Sequence, residues 1–217
     1  MVLKLPPLVS KVQGLKELKY DSEGSLLLWN TSVIISPVQV NLIKTKLYEE
    51  FSETESNKIE YFVGKIQAKT GMQIINKKFG YAKTISDKKK LVIFNNGQFE
   101  LLGQGRFKIV KQDVKTGTVV TKTKSQYARE YKTLFGVQKK SVDYFMAGLW
   151  AGTIEQIYGK TSACIETQCI AKGDEECEFL IKSIENFNQN EVSSKDSFIF
   201  EKNTEERIKK SWKLLFS

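Results

Sequence analysis

Cys169 and Cys177 stand at the two feet of a short turn, Ile170-Ala171-Lys172-Gly173-Asp174-Glu175-Glu176, and Glu166 lies three residues before the first of them. Alternating residues on either side read as strands, so the two thiols meet across a hairpin. Few folds bring two sulfurs and a carboxylate so close. Such a group suits a metal ion or a disulfide better than a nucleophile.

Composition narrows the chemistry. The chain has 217 residues and no histidine, so the usual general base near neutral pH and the commonest zinc ligand are both missing. Serine or cysteine triads of the usual kind are excluded, and any metal is held by sulfur and oxygen. The formal charge of +9 invites a nucleic-acid partner, yet only three basic residues are arginine, Arg106, Arg129 and Arg207. Bidentate reading of bases favours arginine forks, whereas dispersed lysine is a solubilising surface. Lys88-Lys89-Lys90 and Lys209-Lys210 read as solvated faces; a weak electrostatic partner stays open and nucleic acid is disfavoured. No apolar run reaches the roughly 20 residues of a membrane helix. Pro6 and Pro7 interrupt the amino terminus where a signal peptide needs an apolar core. The expected location is cytoplasmic, where paired thiols more often hold metal than form a bridge.

Strands are expected within Ser25–Ile35. Ser36-Pro37 opens a helix to about Phe51, and a second helix spans about Ser56–Lys69, burying Ile59, Phe62, Val63 and Ile66, with Gly71 ending or bending it. Leu91–Phe94 is too short to assign. Gln98–Lys124 reads as strand, with a hairpin turn at Thr116-Gly117, and Ser125–Phe135 as helix. The helix from about Lys140 to Gly159 places Val142, Phe145, Met146, Leu149, Trp150, Thr153, Ile154 and Ile157 at helical spacing. Gly148 and Gly152 on its other face each cost about 1 kcal/mol relative to alanine, so a neighbour is expected to pack tightly there. Ile184–Ser197 is polar and reads as a linker. Thr204–Phe216 is an amphipathic helix with Ile208, Trp212 and Leu215 facing one way, expected to dock on the same domain.

Gly148-x-x-x-Gly152, Glu166-x-x-Cys169, Gly173-Asp174 and Cys177-x-Phe179 together resemble the 4-vinyl reductase domain family, small-molecule-binding domains related to small subunits of the TRAPP transport complexes. The resemblance covers about Val40 to Lys182 and is sharpest over Lys140 to Lys182. It implies an α+β fold, an antiparallel sheet with packed helices, and homodimerisation. In zinc-binding members the ligands are a cysteine five residues before the first helix glycine, the glutamate and the two hairpin cysteines. The last three match Glu166, Cys169 and Cys177; the first falls on Asp143, a departure from the family's cysteine.

Four such ligands make a tetrahedral, closed and therefore structural zinc site. It would carry a net charge of about minus two, with Lys139, Lys140 and Lys172 near in sequence to compensate. A regular strand puts Glu166 and Cys169 on opposite faces, so a bulge between them is required if both are ligands. Blander readings stand beside this one. Asp143 in a first helical turn suits the helix dipole alone. Glu166 also reads as an exposed strand residue, and the cysteines as a disulfide or as buried thiols. Cys164, two residues before Glu166, reads as a buried thiol or a substitute ligand.

The resemblance also implies an apolar pocket between sheet and central helix, with Phe107, Tyr144, Phe145, Met146 and Trp150 as lining candidates; an aromatic stripe at helical spacing equally reads as core. The expected function is a stand-alone sensory domain that holds a small apolar molecule and signals through a dimer or a protein partner. The alternative is a structural adaptor like the trafficking subunits. Catalysis is disfavoured, since there is no dinucleotide fingerprint, histidine or obvious acid/base pair. The expected organisation is 1–36 as a β extension, 37–185 as the ligand-binding domain and 186–217 as linker and terminal helix.

Overall fold

Between Cys177 and Ser183 buried and half-buried side chains alternate, so the sheet has one face turned to the helices and one turned away. The computed structural model describes residues 18–20, 26–28, 31–32, 37–80, 82–101, 104–188, 191–192 and 194–200. Three short antiparallel strands come first, Leu18–Tyr20 (β1), Leu26–Leu28 (β2) and Thr31–Ser32 (β3). Helices Pro37–Glu50 (α1), Glu53–Phe79 (α2) and Ile85–Leu101 (α3) follow, then strands Phe107–Asp113 (β4) and Thr118–Thr123 (β5). Helices Gln126–Phe135 (α4) and Tyr144–Tyr158 (α5) lead to a closing hairpin, Ser162–Gln168 (β6) and Cys177–Ser183 (β7). The larger sheet is antiparallel throughout, in the order β4-β5-β7-β6. The fold is α+β, with helices on one face of that sheet.

Helix α5 is central, in contact with α2, α3, β6 and β7. The neighbour expected at its glycines is α2. A Cβ on Gly148 would run into the Tyr61 carbonyl, one on Gly152 into the Lys65 carbonyl, and one on Gly64 of α2 into the Phe145 carbonyl. Backbone touches backbone at this crossing. The expected buried positions of α5, from Phe145 to Ile157, are all buried.

Four expectations are corrected. Gly71 does not end the second helix, which continues to Phe79 and stops at Gly80, where φ is 83°. Beyond Gly71, Met72, Ile75 and Asn76 are buried, and that burial offsets the glycine's helix penalty. Val63 faces out at 36% exposure, while Glu60, Tyr61 and Lys65 turn inward. Leu91–Phe94 belongs to the 17-residue helix α3, which also takes up Gln98–Leu101. Its inward positions include Asn95 and Gln98 beside Val92 and Phe99, a mixture that conceals helical periodicity. The polar stretch after Ile184 is not a free linker: Phe198 and Ile199 are buried, and Ile184, Phe187 and Val192 pack against the core. The expected helix Thr204–Phe216 lies outside the described residues, as does most of 1–36.

Candidate metal centre

The bulge required by the odd spacing is present. Glu166 pairs with Phe179 and Gln168 with Glu178, so Thr167 is an extra residue in β6. That extra residue turns Cys169 back to the side of Glu166. Cys169 caps a 3-10 turn, Ile170–Lys172, and Gly173 closes it with φ at 110°. The Asp174 carboxylate accepts from the Cys169 N–H at 2.7 Å, and the Ile170 N–H points at Cys177 Sγ, 3.3 Å away. The turn therefore holds both sulfurs by main-chain geometry.

Glu166, Cys169 and Cys177 bring their ligand atoms within 4.8 Å of one another, a group able to hold a metal ion. Both cysteines are fully buried free thiols. Glu166 Oε2 accepts from the Val142 and Asp143 N–H groups at 3.1 and 3.0 Å. Its other oxygen, Oε1, is buried with no hydrogen-bond partner among the described residues. An orphaned carboxylate oxygen beside two thiols is a donor that a cation would satisfy. The donor set, two thiolates and one carboxylate, fits zinc.

Asp143 is buried nearby but is not in that group. It caps α5: Oδ1 accepts from the Met146 N–H at 3.2 Å, and Oδ2 from the Ser125 hydroxyl at 2.5 Å. Cys164 is also buried, two positions before Glu166 on the same strand face, and stands outside the group. Of the four expected ligands, the structure brings three together and sets the fourth at the adjacent helix end.

The electrostatics are those of crowded acids. Burial pushes the Glu166 carboxyl well above the ordinary carboxylate range, with Cys169 and Asp143 adding to the rise. Asp143 is raised to about 7, chiefly by burial, against the pull of the Ser125 hydrogen bond. The hydrogen bond from Cys177 draws the Cys169 thiol down to about 6, and the same bond holds Cys177 up. A divalent cation would invert this pattern by stabilising every deprotonated group at once.

A cleft of about 360 Å³ opens beside the group. Tyr144, Ala147, Ile165 and Ile199 give it an apolar floor, and Lys139, Lys140 and Lys172 stand among its polar lining. Lys140 pairs with Glu53 at 2.5 Å and Lys172 with Asp174 at 3.8 Å. The lysines expected to offset the site's negative charge thus line the cleft that leads to it. Tyr144 is the lining candidate that faces this space. Phe107, Phe145, Met146 and Trp150 are buried core side chains, and the Trp150 ring meets Phe107 at 5.3 Å and Phe99 at 5.2 Å.

The sequence carries this same region's signature. Residues 135–183 match the vinyl-4-reductase domain. The matched segment runs from the end of α4 through α5 to the end of β7, so every candidate ligand lies inside it. A curated relative, an uncharacterized protein of Methanocaldococcus jannaschii, is 51% identical over 39 residues; the match covers 18% of this chain and only 22% of that protein. Among solved structures, the phenol-responsive sensory domain of the transcription activator PoxR superposes with a TM-score of 0.71 at 16% identity, over 84% of this chain and 92% of that one. It shows the same fold around the matched segment. A vinyl-4-reductase family protein from Methanocaldococcus jannaschii (TM-score 0.42, 16% identity, 85% of this chain and 99% of that one) superposes less closely. So does a trafficking protein particle complex subunit 3 from Naegleria fowleri (0.49, 11%, 68% and 96%).

Two features escaped sequence reading. One is Lys44, 1% exposed, whose ammonium donates to Glu60 at 2.9 Å and to the Val142 carbonyl at 2.6 Å, among the rings of Tyr48, Tyr131 and Tyr144. A lysine in a lysine-rich chain gives no signal that it is the buried one. The other is Thr121, buried on β5 with no hydrogen-bond partner for its hydroxyl among the described residues. Its strand position marks it as inward-facing, but nothing in the sequence marks it as unpaired.

Proposed function

We propose that this chain is a non-catalytic sensory domain that binds a small aromatic molecule and is stapled by zinc at Glu166, Cys169 and Cys177, with Asp143 as fourth ligand. The carrying observation is a pair of unsatisfied polar atoms within an aromatic shell. Trp150 Nε1 and Thr121 Oγ1 are buried and lack partners among the described residues. Thr121 pairs with Phe179 and Ile109 across the sheet, so it shares their face. Phe107 lies 6.1 Å from Phe179 and 5.8 Å from Phe99, closing the shell against Trp150. Leaving a buried polar group unpaired costs about 1–3 kcal/mol, so a ligand hydroxyl that satisfies either atom is favoured there. The fold shared with a phenol-responsive domain supports the same ligand class. A closed zinc shell would tie the hairpin to α5 and keep that interior in register. Output passes through a homodimer or a protein partner.

The test is thermal unfolding and calorimetry of zinc-loaded protein with phenol and simple aromatic alcohols. Phenol should raise the unfolding temperature. Thr121→Val should stabilise the free protein, because it removes an unpaired hydroxyl, and weaken the response to phenol; Trp150→Phe should weaken it as well. No stabilisation by any aromatic alcohol, with both variants behaving like the parent, would sink the reading. The cleft beside the zinc group supports a second placement, because its volume suits a small ligand. In that case Ala147→Leu, which fills the cleft, abolishes binding, and Thr121→Val leaves it unchanged.

A further inference from the structure

The corner between α2 and α3 concentrates positive charge. From 77 to 90 the chain carries six lysines (Lys77, Lys78, Lys83, Lys88, Lys89, Lys90) and a single acid, Asp87. Asp87 is turned back onto its own helix end, where it accepts from the Thr84 N–H at 3.1 Å. Lys77, Lys78, Lys83, Lys89 and Lys90 are exposed, while Lys88 reaches the Tyr158 carbonyl at 3.1 Å. Two large apolar side chains stand out among them: Phe79 at 47% exposure and Ile85 at 49%. Neither lies over the candidate metal centre or its cleft, whose residues belong to other segments.

We propose that this corner docks the protein on an anionic lipid surface, with Phe79 and Ile85 entering the headgroup layer and the lysines meeting lipid phosphates and carboxylates. Three observations favour a membrane over other anionic partners. The charge is carried by lysine alone, a point charge suited to diffuse attraction, whereas base or phosphopeptide readout favours arginine forks. The apolar residues protrude where the chain reverses between two helices, rather than lining a groove, which suits insertion. Basic residues interleaved with exposed apolar ones are the composition of interfacial anchors. None of the described helices is long and apolar enough to cross a membrane, so the attachment is peripheral. It is independent of the sensory reading.

The experiment is co-sedimentation of the full chain with vesicles of phosphatidylcholine, with and without phosphatidylserine, at low and high salt. Binding should require phosphatidylserine and fall as salt screens the lysines. Lys89→Gln/Lys90→Gln should weaken it by about tenfold or more. Ile85→Ser should weaken it while leaving its salt dependence in place. Lys132→Gln, on α4, is the control and should bind as the parent does. Circular dichroism confirms that each variant is folded. Absent or unaltered vesicle binding in the corner variants would overturn the proposal. So would retention on DNA or polyglutamate that exceeds binding to the vesicles and ignores Ile85→Ser.

Discussion

At the residue scale, Glu166 and Asp143 divide two jobs that the sequence leaves combined. Glu166 commits one oxygen to the N–H groups of Val142 and Asp143 and keeps the other buried among thiols. Asp143 commits both oxygens, to Ser125 and Met146. Glu166→Gln should therefore lower zinc affinity sharply, read by chelator competition, with a smaller effect on the metal-free fold. Asp143→Ala removes a helix cap and should cost about 1 kcal/mol, up to 2, in either metal state. Asp143→Asn keeps a capping oxygen; if it weakens zinc as strongly as Glu166→Gln does, Asp143 is a ligand, and if zinc is held as before, its role is the cap. The need for a bulge after Glu166 was legible, because an odd spacing cannot put two ligands on one strand face. The occupation of Asp143 by Ser125 was not, since the partner comes from 18 positions away.

Among elements, the α2–α5 crossing and the α3 helix show opposite degrees of legibility. Gly148 and Gly152 announced a close neighbour, and their missing side chains are filled by the α2 backbone. Gly148→Ala should cost about 1–3 kcal/mol by overpacking, measured by denaturant unfolding. Gly71→Ala should instead stabilise by up to about 1 kcal/mol, because nothing lies within 4 Å of the added methyl on a helix interior. The same residue type in two helices thus predicts opposite signs, and only the packing decides which. Helix α3 was missed because its inward face carries Asn95 and Gln98, and its exposed positions include Ile85 and Ile93. Its sequence does not sort polar from apolar by face, so periodicity had nothing to report.

For the whole molecule, burial of tyrosine sets the response to alkali. Tyr48, Tyr127, Tyr131, Tyr144 and Tyr158 all have their phenols raised above 10, in each case chiefly by burial. The unfolded chain releases these protons near pH 10 and the folded one holds them, to about 12 at Tyr158. Their contribution to stability is complete below pH 10 and is lost as pH rises through the folded values. Unfolding temperature should therefore drop steeply above pH 10, with phenolate absorbance appearing in step with unfolding rather than before it. Chelation should also lower the unfolding temperature, by about 2–4 °C for each kcal/mol that the metal contributes. By itself the sequence determined the α+β class, the strands of the closing hairpin, the inward face of α5 and the three ligands that meet, because these follow from local periodicity and from short spacings within one hairpin. Only the tertiary structure decided that Lys44 is the buried lysine, that Asp143 is taken up by Ser125, that Trp150 and Thr121 hold unsatisfied polar atoms, and that the stretch after Ile184 packs on the core. Each of those depends on a partner brought in from a distant part of the chain, and such partners leave no mark on neighbouring residues.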